Sequence, residues 1–483
     1  MLKPIVKEPS VNESERILAR MAENTFLSLW SYPSLFRDVG GGKELIDLTI
    51  YFDNNLILFS DKGHVKYKES NPTDLAWKRW YRDAVKESAK QLYAAEKFVR
   101  NMPKEIYTNN RREDEFPFDI SKGNLRIHLI AVTRGIGKAA KEYFDSYCKG
   151  SAGTLSYAYR LSEKEILETP FFVGDIDPSK TFVHVLDESG IELLLNELNT
   201  PSDFIRYLSC KEKAVRELGL VASAGEEETL SYYLQEDGGY GFGDIPNLTP
   251  DRQQNFSIPE LEWEYYKKTV DYALRYNRKK KAARWNELIA RFSDSIVDGV
   301  VAEGKDLPFL THASAVEALA SENMYSRSIL TEQLFDKYET VPTFSRSARV
   351  VPSQTNTDRL YIFLFYPWSE RFNSYDDYRR ERTECMHVYA LVAMYKYQNF
   401  KQVVVLGAAT KGSSGESETI IVIDATVPLT AEQRKDAQHV MKTLNVLNDL
   451  TNKKLARSER VKGSARNEPC PCGSGRKFKK CCS

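Results

Sequence analysis

The sequence predicts an α/β protein of several domains: an N-terminal α-β-β-α-β core, a mostly helical middle, a small α/β domain and a short C-terminal tail. Three observations lead to this prediction. The chain has 483 residues, enough for roughly two to four domains. Apolar residues follow strand and helix spacing in turn near both ends of the chain, whereas helical spacing dominates the middle. Four closely spaced cysteines stand in the last thirteen or so positions.

The same patterns predict the domain boundaries. We expect a first domain at 1–135, a helical middle at 136–350, an α/β domain at 351–450, a basic linker at 451–466 and a tail at 467–483.

A β-hairpin is the clearest element of the first domain. Apolar, β-branched residues at 45–52 and 56–60 predict two strands, and Asp53-Asn54-Asn55 predicts the turn, because Asn and Asp tolerate positive φ. Positions equidistant from the turn lie opposite each other in an antiparallel pair. We therefore expect Asp47 and Lys62 to meet at the open end of the hairpin.

An acid and a lysine in this position allow two interpretations. They form a partly buried structural ion pair, or the carboxylate holds Mg²⁺ while the ammonium stabilises an anionic transition state.

The flanking segments predict a helix before the hairpin at 12–36, with Asn12 as N-cap and Glu15 three residues later. A long helix follows at 73–100, and a strand at 125–132. Basic residues and Trp77, Trp80 and Tyr81 alternate on the second helix, which suits either a phosphate-binding surface or an ordinary solvated helix face.

This order of helix, hairpin, helix and strand resembles the PD-(D/E)XK nuclease core, the fold of restriction endonucleases and Holliday-junction resolvases. The resemblance covers about the first 135 residues. It implies Mg²⁺-dependent cleavage of a nucleic acid. Asp47 stands at the position of the family's metal-binding aspartate, and Lys62 at the lysine of the (D/E)-x-K element. Glu23 on the first helix would match an acid that some members carry there, and Gln91-Leu92-Tyr93 partly resembles a Gln-Tyr element.

One departure from the family pattern concerns the second carboxylate. Ser60 stands where Asp or Glu is expected. Asp74 lies at the separation from which some members draw that carboxylate, although it also suits the first turn of a helix. If neither Asp74 nor Asp61 supplies the group, the core binds nucleic acid without cutting it.

Composition restricts the remaining possibilities. The formal net charge is zero, so a nucleic-acid site depends on local patches. We expect no membrane span and no signal peptide, and hence a cytoplasmic, bacterial protein. Cys148, Cys210 and Cys385 are scattered and suit packing rather than disulfides.

The middle and the second α/β domain present no catalytic motif. Arg134-Gly135-Ile136-Gly137-Lys138 lacks the spacing of a phosphate loop, and 238–243 is Gly-rich but predicted to be an ordinary loop. Helical spacing at 258–301 is predicted to break near Tyr276-Asn277. In the second domain we expect strands at 360–366, 402–406 and 419–424, and helices at 376–397 and 430–447.

The tail has a metal-ligand pattern. Cys470 and Cys472 are followed by Cys481-Cys482. Four thiolates at this spacing suit tetrahedral Zn²⁺, and a segment this short needs the metal for its folding energy. The stretch resembles the SEC-C motif, a zinc-binding interaction module also found at the C-terminus of the SecA translocation ATPase, where it engages a chaperone and ribosomes.

Two hypotheses follow for the whole chain. The first is a nuclease of defence or repair with a zinc-bound accessory tail. The second is a non-catalytic zinc-binding protein that engages a ribosome, a chaperone or a nucleic acid.

Overall fold

The computed structural model describes residues 2–38, 42–121, 123–150, 153–235, 255–300, 307–413 and 417–448. The architecture is mixed α/β with several sheets and helices, as predicted. The chain divides into two compact units, residues 4–273 and residues 1–3 with 274–483. No helix among the described residues has the length and apolar character needed to cross a membrane. The predicted loop at 238–243 and the cysteine-rich tail lie outside the described residues.

The first unit contains two sheets. Its strands are β1 Ser31–Arg37, β2 Lys43–Phe52, β3 Asn55–Asp61, β4 Ile106–Tyr107, β5 Arg126–Thr133, β6 Ser156–Ala158, β7 Phe172–Val173, β8 Val183–Asp187, β9 Leu220–Ser223 and β10 Phe256–Ile258. Six strands form one sheet in the order β4-β1-β2-β3-β5-β8, and four form the other in the order β10-β9-β6-β7.

Helices of the first unit are α1 Glu13–Trp30, α2 Thr73–Trp80, α3 Glu87–Asn101, α4 Gly137–Asp145, α5 Glu163–Glu168, α6 Glu188–Glu197, α7 Pro201–Arg216, α8 Glu226–Gln235 and α9 Glu262–Tyr266. A π-helical segment, Tyr81–Lys86, joins α2 to α3. The predicted helix at 73–100 is thus one nearly continuous helical rod.

The hairpin that the sequence predicted is β2 and β3. Asp53 and Asn54 have φ of 46° and 57°, the left-handed values that Asp and Asn accept in tight turns. On its other side β3 pairs in parallel with β5, and β5 pairs in parallel with β8. The carboxyl ends of these three strands therefore lie at one edge of the sheet, beside the residues that begin β2.

The predicted end of the first helix, at residue 36, is wrong. The helix stops at Trp30, and the next residues form β1, which pairs with β2 from Ser31↔Ile50 onward. Pro33 cannot continue a helix hydrogen-bond ladder. The apolar residues of this stretch suit either spacing, so pairing with β2 decides the structure.

The middle of the chain contains more strand than its helical spacing predicted. The four strands of the second sheet all fall between 150 and 260. Strands of two to four residues are too short to produce a clear alternation of apolar and polar positions. The predicted break near Tyr276 is also wrong, because one helix, α10 Val270–Val297, passes through it.

The strands and helices predicted at 351–450 agree closely with those of the second unit, although the strand Ser347–Pro352 was not predicted. Its sheet has the order β11-β12-β13-β14, with β11 Ser347–Pro352, β12 Arg359–Tyr366, β13 Gln402–Ala409 and β14 Thr419–Asp424. The helices after α10 are α11 Phe309–Ala320, α12 Met324–Thr340, α13 Tyr375–Lys396 and α14 Ala431–Thr443. A core of buried aliphatic and aromatic side chains from β12, β13 and α13 closes one face of this sheet.

Two buried histidines lie on neighbouring strands of the first sheet. His128 on β5 is 5% exposed and His184 on β8 is 1% exposed. Burial, with the charge of Arg126, lowers the pKa of His128 to about 4. Burial, with the charge of Lys211 nearby, holds the pKa of His184 well below its ordinary value. Both rings are therefore neutral in the folded protein at pH 7.

We expect acid to destabilise the first unit through these rings. Below about pH 6.5 an unfolded histidine binds a proton that folded His128 rejects until about pH 4, so stability is lost as the pH falls through this window. The loss from His128 alone is about 2 kcal/mol at pH 5. Unfolding curves at pH 7 and pH 5 should show a smaller acid loss in His128→Asn than in the unchanged protein. Equal losses would contradict this account.

Candidate functional site

The candidate site lies where β2 begins and β3 ends. Oδ2 of Asp47, on β2, accepts a hydrogen bond of 2.6 Å from the backbone N–H of Asp61, the last residue of β3. The next backbone N–H, that of Lys62, donates to the carbonyl of Val132 on β5 at 3.0 Å. Hydrogen bonds to β2 and β5 thus fix the backbone of Asp61 and Lys62.

Lys62 is 8% exposed and points to α3. Its Nζ donates to Oε1 of Gln91 at 2.5 Å. The Ser60 hydroxyl donates to the same oxygen at 3.1 Å. Ser60 is fully buried, so this residue, which replaces the expected acid, serves to hold Gln91 against Lys62.

The environment of Asp47 disfavours the ionised form of its carboxylate. Burial is the largest cause that raises its pKa, to about 7, and the carboxylates of Glu15 and Glu44 add to the rise. The hydrogen bond from Asp61 and the positive charge of Lys62 act in the opposite direction but do not cancel it. The electrostatic influence of Lys62 on Asp47 indicates that the two predicted residues share one environment.

Glu44 is the carboxylate that sequence reasoning missed. Its Oε1 is buried and makes no hydrogen bond of ordinary geometry within the described part of the chain, although the Ser34 hydroxyl acts on the carboxylate and lowers its pKa. Burial raises its pKa, and Glu15 adds to that rise. The register between β1 and β2 shifts where Phe36 faces Glu44 and Leu35 faces Ile46. Such a bulge re-aims side chains, which explains how Glu44 joins Asp47 although strict alternation would separate them.

The acid that α1 contributes is Glu15, whereas the sequence predicted Glu23. Asn12 caps the helix through a bond from the Glu15 N–H at 3.1 Å, as predicted. The Glu15 carboxylate turns back to Asn12 Nδ2 and to the Val11 N–H at 3.0 Å. Glu23 lies two turns further along α1, and the largest effects of neighbouring carboxylates on the pKa of Asp47 come from Glu15 and Glu44.

The two alternative carboxylates are not brought to Asp47. Asp61 is bound by the guanidinium of Arg134, at 2.9 Å from Nη2 to Oδ2. Asp74 is exposed in the first turn of α2, and its charge acts on Tyr67 and Tyr143 instead. The candidate for a second carboxylate beside Asp47 is therefore at the start of β2 rather than on α2.

The aromatic residues of α2 and the π-helical segment belong to the core. Trp77, Trp80 and Tyr81 are each 3% exposed or less. Trp77 stacks on Trp80 and makes tilted contacts with Tyr81 and Phe171, so these buried rings do not form a surface on which bases stack.

The donor set fits a magnesium ion that completes its coordination with water and substrate. Within the described ranges, no three His, Cys, Asp or Glu side chains are arranged to hold a metal by themselves. Mg²⁺ in phosphoryl-transfer sites commonly binds one or two carboxylates, several waters and a substrate phosphate. Asp47 and Glu44 supply such a pair of carboxylates.

Comparison with known proteins identifies the tail only. The SEC-C motif, a zinc-binding module, matches residues 466–483. The chain is similar to the protein translocase subunit SecA of Trichlorobacter lovleyi, 44% identical over 54 residues, which are 11% of this chain and 6% of SecA. SecA of Geobacter sulfurreducens is 45% identical over 51 residues, 11% of this chain and 5% of that protein. The chain thus spans a small fraction of these relatives. No solved structure matches it significantly.

Replacing Asp47 by Asn should stabilise the metal-free protein at pH 8. The folded pKa of about 7 exceeds the ordinary 3.8, so the folded state loses stability as the pH rises through this window. We expect a gain of about 1–3 kcal/mol after allowance for solvent screening, because Asn keeps an oxygen for the Asp61 N–H. Unfolding in EDTA at pH 8 and pH 4 measures it. The gain should disappear at pH 4, and a gain that is equal at both values would refute the electrostatic explanation.

Proposed function

We propose that the N-terminal part of this chain is a Mg²⁺-dependent nuclease of the PD-(D/E)XK type that hydrolyses phosphodiester bonds, with DNA as its substrate. The observation that supports the proposal is that the charges of Glu44 and Lys62 both act on the buried carboxylate of Asp47, where β2 begins and β3 ends. The order α1, hairpin β2–β3, helical rod α2–α3 and strand β5 supports it. Defence against foreign DNA or repair is the biological setting that suits such an enzyme.

The carboxylates of Asp47 and Glu44 would hold the metal. A divalent ion would favour the charged forms of both acids, because its charge opposes the burial and the repulsion that raise their pKa values. When bound, Mg²⁺ polarises a phosphate and lowers the pKa of water. This role explains why the fold keeps carboxylates together at a cost to its stability.

Lys62 would stabilise the phosphate as negative charge develops on it. The bond from Nζ to Gln91 leaves two of the three ammonium protons for a substrate oxygen or a water. Because Gln91 is itself exposed on α3, it lies at the entrance of the site, where a nucleic acid would approach.

Purified protein should cut or nick DNA in the presence of Mg²⁺, and EDTA should stop it. Asp47→Ala and Lys62→Ala should each lower the cleavage rate at least about 100-fold, since each removes a charge that acts on the transition state. Gel assays on plasmid DNA measure the rate.

Two matched variants control for loss of charge alone. Asp74→Ala removes an exposed acid of α2, and Lys97→Ala removes an exposed lysine of α3. Both should cut at the unchanged rate. Full activity in Asp47→Ala, or loss of activity in Asp74→Ala, would reject the assignment.

A second candidate is a non-catalytic interaction protein, favoured by the SEC-C match at 466–483. In this function the zinc-bound tail engages a ribosome, a chaperone or a nucleic acid. Purified protein that cuts no nucleic acid, and whose captured partner is lost in Cys481→Ser, would favour it over the nuclease.

Zinc ligation by Cys470, Cys472, Cys481 and Cys482 is part of both candidates. We expect about one zinc per chain by elemental analysis of protein purified without added metal. Cys481→Ser removes one thiolate of the tetrahedral set and should reduce bound zinc at least about tenfold. Cys148→Ser, at an exposed cysteine outside the tail, should keep its zinc. Equal zinc in the two variants would rule out the ligand set.

A further inference from the structure

Asp61 carries a buried charge directly beside the candidate site. Its side chain is 0% exposed. A buried carboxylate is tolerated only when an opposite charge and hydrogen bonds compensate it. Arg134 supplies both, with Nε at 3.2 and 3.3 Å from the two carboxylate oxygens and Nη2 at 2.9 Å from Oδ2.

The same guanidinium reaches a third element. Nη2 of Arg134 also donates to the backbone carbonyl of Ser14 on α1 at 3.3 Å. Ser14 precedes Glu15, whose charge acts on Asp47. Arg134 therefore joins the end of β3, the end of β5 and the first turn of α1.

The loop after β5 aims Arg134 at this junction. Gly135 has φ of +69°, which glycine adopts without strain, and its N–H donates to Glu188 at 2.7 Å. Ile136 is fully buried. The Arg134–Lys138 stretch, which was compared with a phosphate loop in sequence, thus connects the end of β5 to α4, which begins at Gly137, and the residues directly after the arginine are fixed in place.

The chain after Lys62 is equally constrained. A Cβ at Gly63 would lie 2.1 Å from the Ser14 hydroxyl and 3.3 Å from Oδ1 of Asp61. The backbone through 61–63 therefore packs directly on α1, and the Asp61 side chain lies between the two.

We propose that Arg134 is a positioning residue of the candidate nuclease site: its bonds to the Asp61 side chain and to Ser14 hold the Asp61 backbone N–H on Asp47 and set Lys62 beside it. The inference rests on the proposed function. Asp61 contributes to the site through two different groups. Its side chain faces Arg134, and its N–H donates to Asp47 at 2.6 Å. The ladder to β5 also holds the Asp61 backbone, so loss of the Arg134 contact shifts this N–H relative to Asp47 rather than releasing it.

Binding of Mn²⁺ alone, measured from the free-ion electron paramagnetic resonance signal, tests the proposal without reference to cleavage. The unchanged protein should bind Mn²⁺ and Asp47→Asn should not. Arg134→Met should weaken the affinity at least about tenfold. It should also lower kcat for DNA with little change in KM.

Arg216→Met is the matched control, because Arg216 makes a similar partly buried bidentate pair with Asp175 in the same unit. It should lower thermal stability to a similar degree while Mn²⁺ affinity stays unchanged. If Arg134→Met does not fold, Asp61→Asn, which keeps the volume of the side chain but weakens the pair, decides in its place. We expect the same loss of Mn²⁺ affinity in that variant.

The outcomes separate the two proposals. Mn²⁺ binding that depends on Asp47 but is unchanged in Arg134→Met or Asp61→Asn overturns the positioning role and leaves the nuclease intact. An unchanged protein that binds no Mn²⁺ overturns both. An equal loss of affinity in Arg134→Met and Arg216→Met assigns the effect to general stability and overturns the positioning role.

Discussion

The candidate site of the first unit is dominated by an imbalance of charge at one edge of the main sheet. Three carboxylates, Glu15, Glu44 and Asp47, act on one another there, and Lys62 is the ammonium that opposes them. Burial removes the water that would otherwise screen their repulsion. Such an arrangement reduces the stability of the isolated chain and is useful mainly where a cation is to be bound. This physical argument connects the packing of β2 and β3 to a proposed activity.

The acids near the site differ in their hydrogen-bond and ion-pair partners. This difference separates structural carboxylates from candidate metal ligands. Asp61 is neutralised by Arg134, and Glu15 has both oxygens engaged in the cap of α1. Glu44 keeps a buried oxygen that makes no hydrogen bond of ordinary geometry among the described residues. The pattern of hydrogen bonds therefore favours Asp47 and Glu44 as the proposed pair of metal ligands. Position near the site alone would not distinguish these two acids from Glu15 and Asp61.

The tail is characterised by its sequence match. Residues 466–483 match the SEC-C motif, a zinc-binding module. The similarity to SecA covers 11% of this chain, so it says nothing about the remainder. The activity of the two larger units has to be argued from their own residues.

The sequence by itself determined what depends on neighbouring positions. Local backbone preferences and side-chain periodicity predict the Asp53-Asn54 turn, the Asn12 cap and the strands of the hairpin. The cysteine spacing of the tail is read directly from the sequence. Tertiary structure decided the rest. Residues 31–37 became a strand because β2 was there to pair with them, a bulge in that pairing turned Glu44 towards Asp47, and Arg134 reached Asp61 from 73 positions away. Local spacing carries no information about such partners, because burial and charge compensation are satisfied only once distant segments pack together.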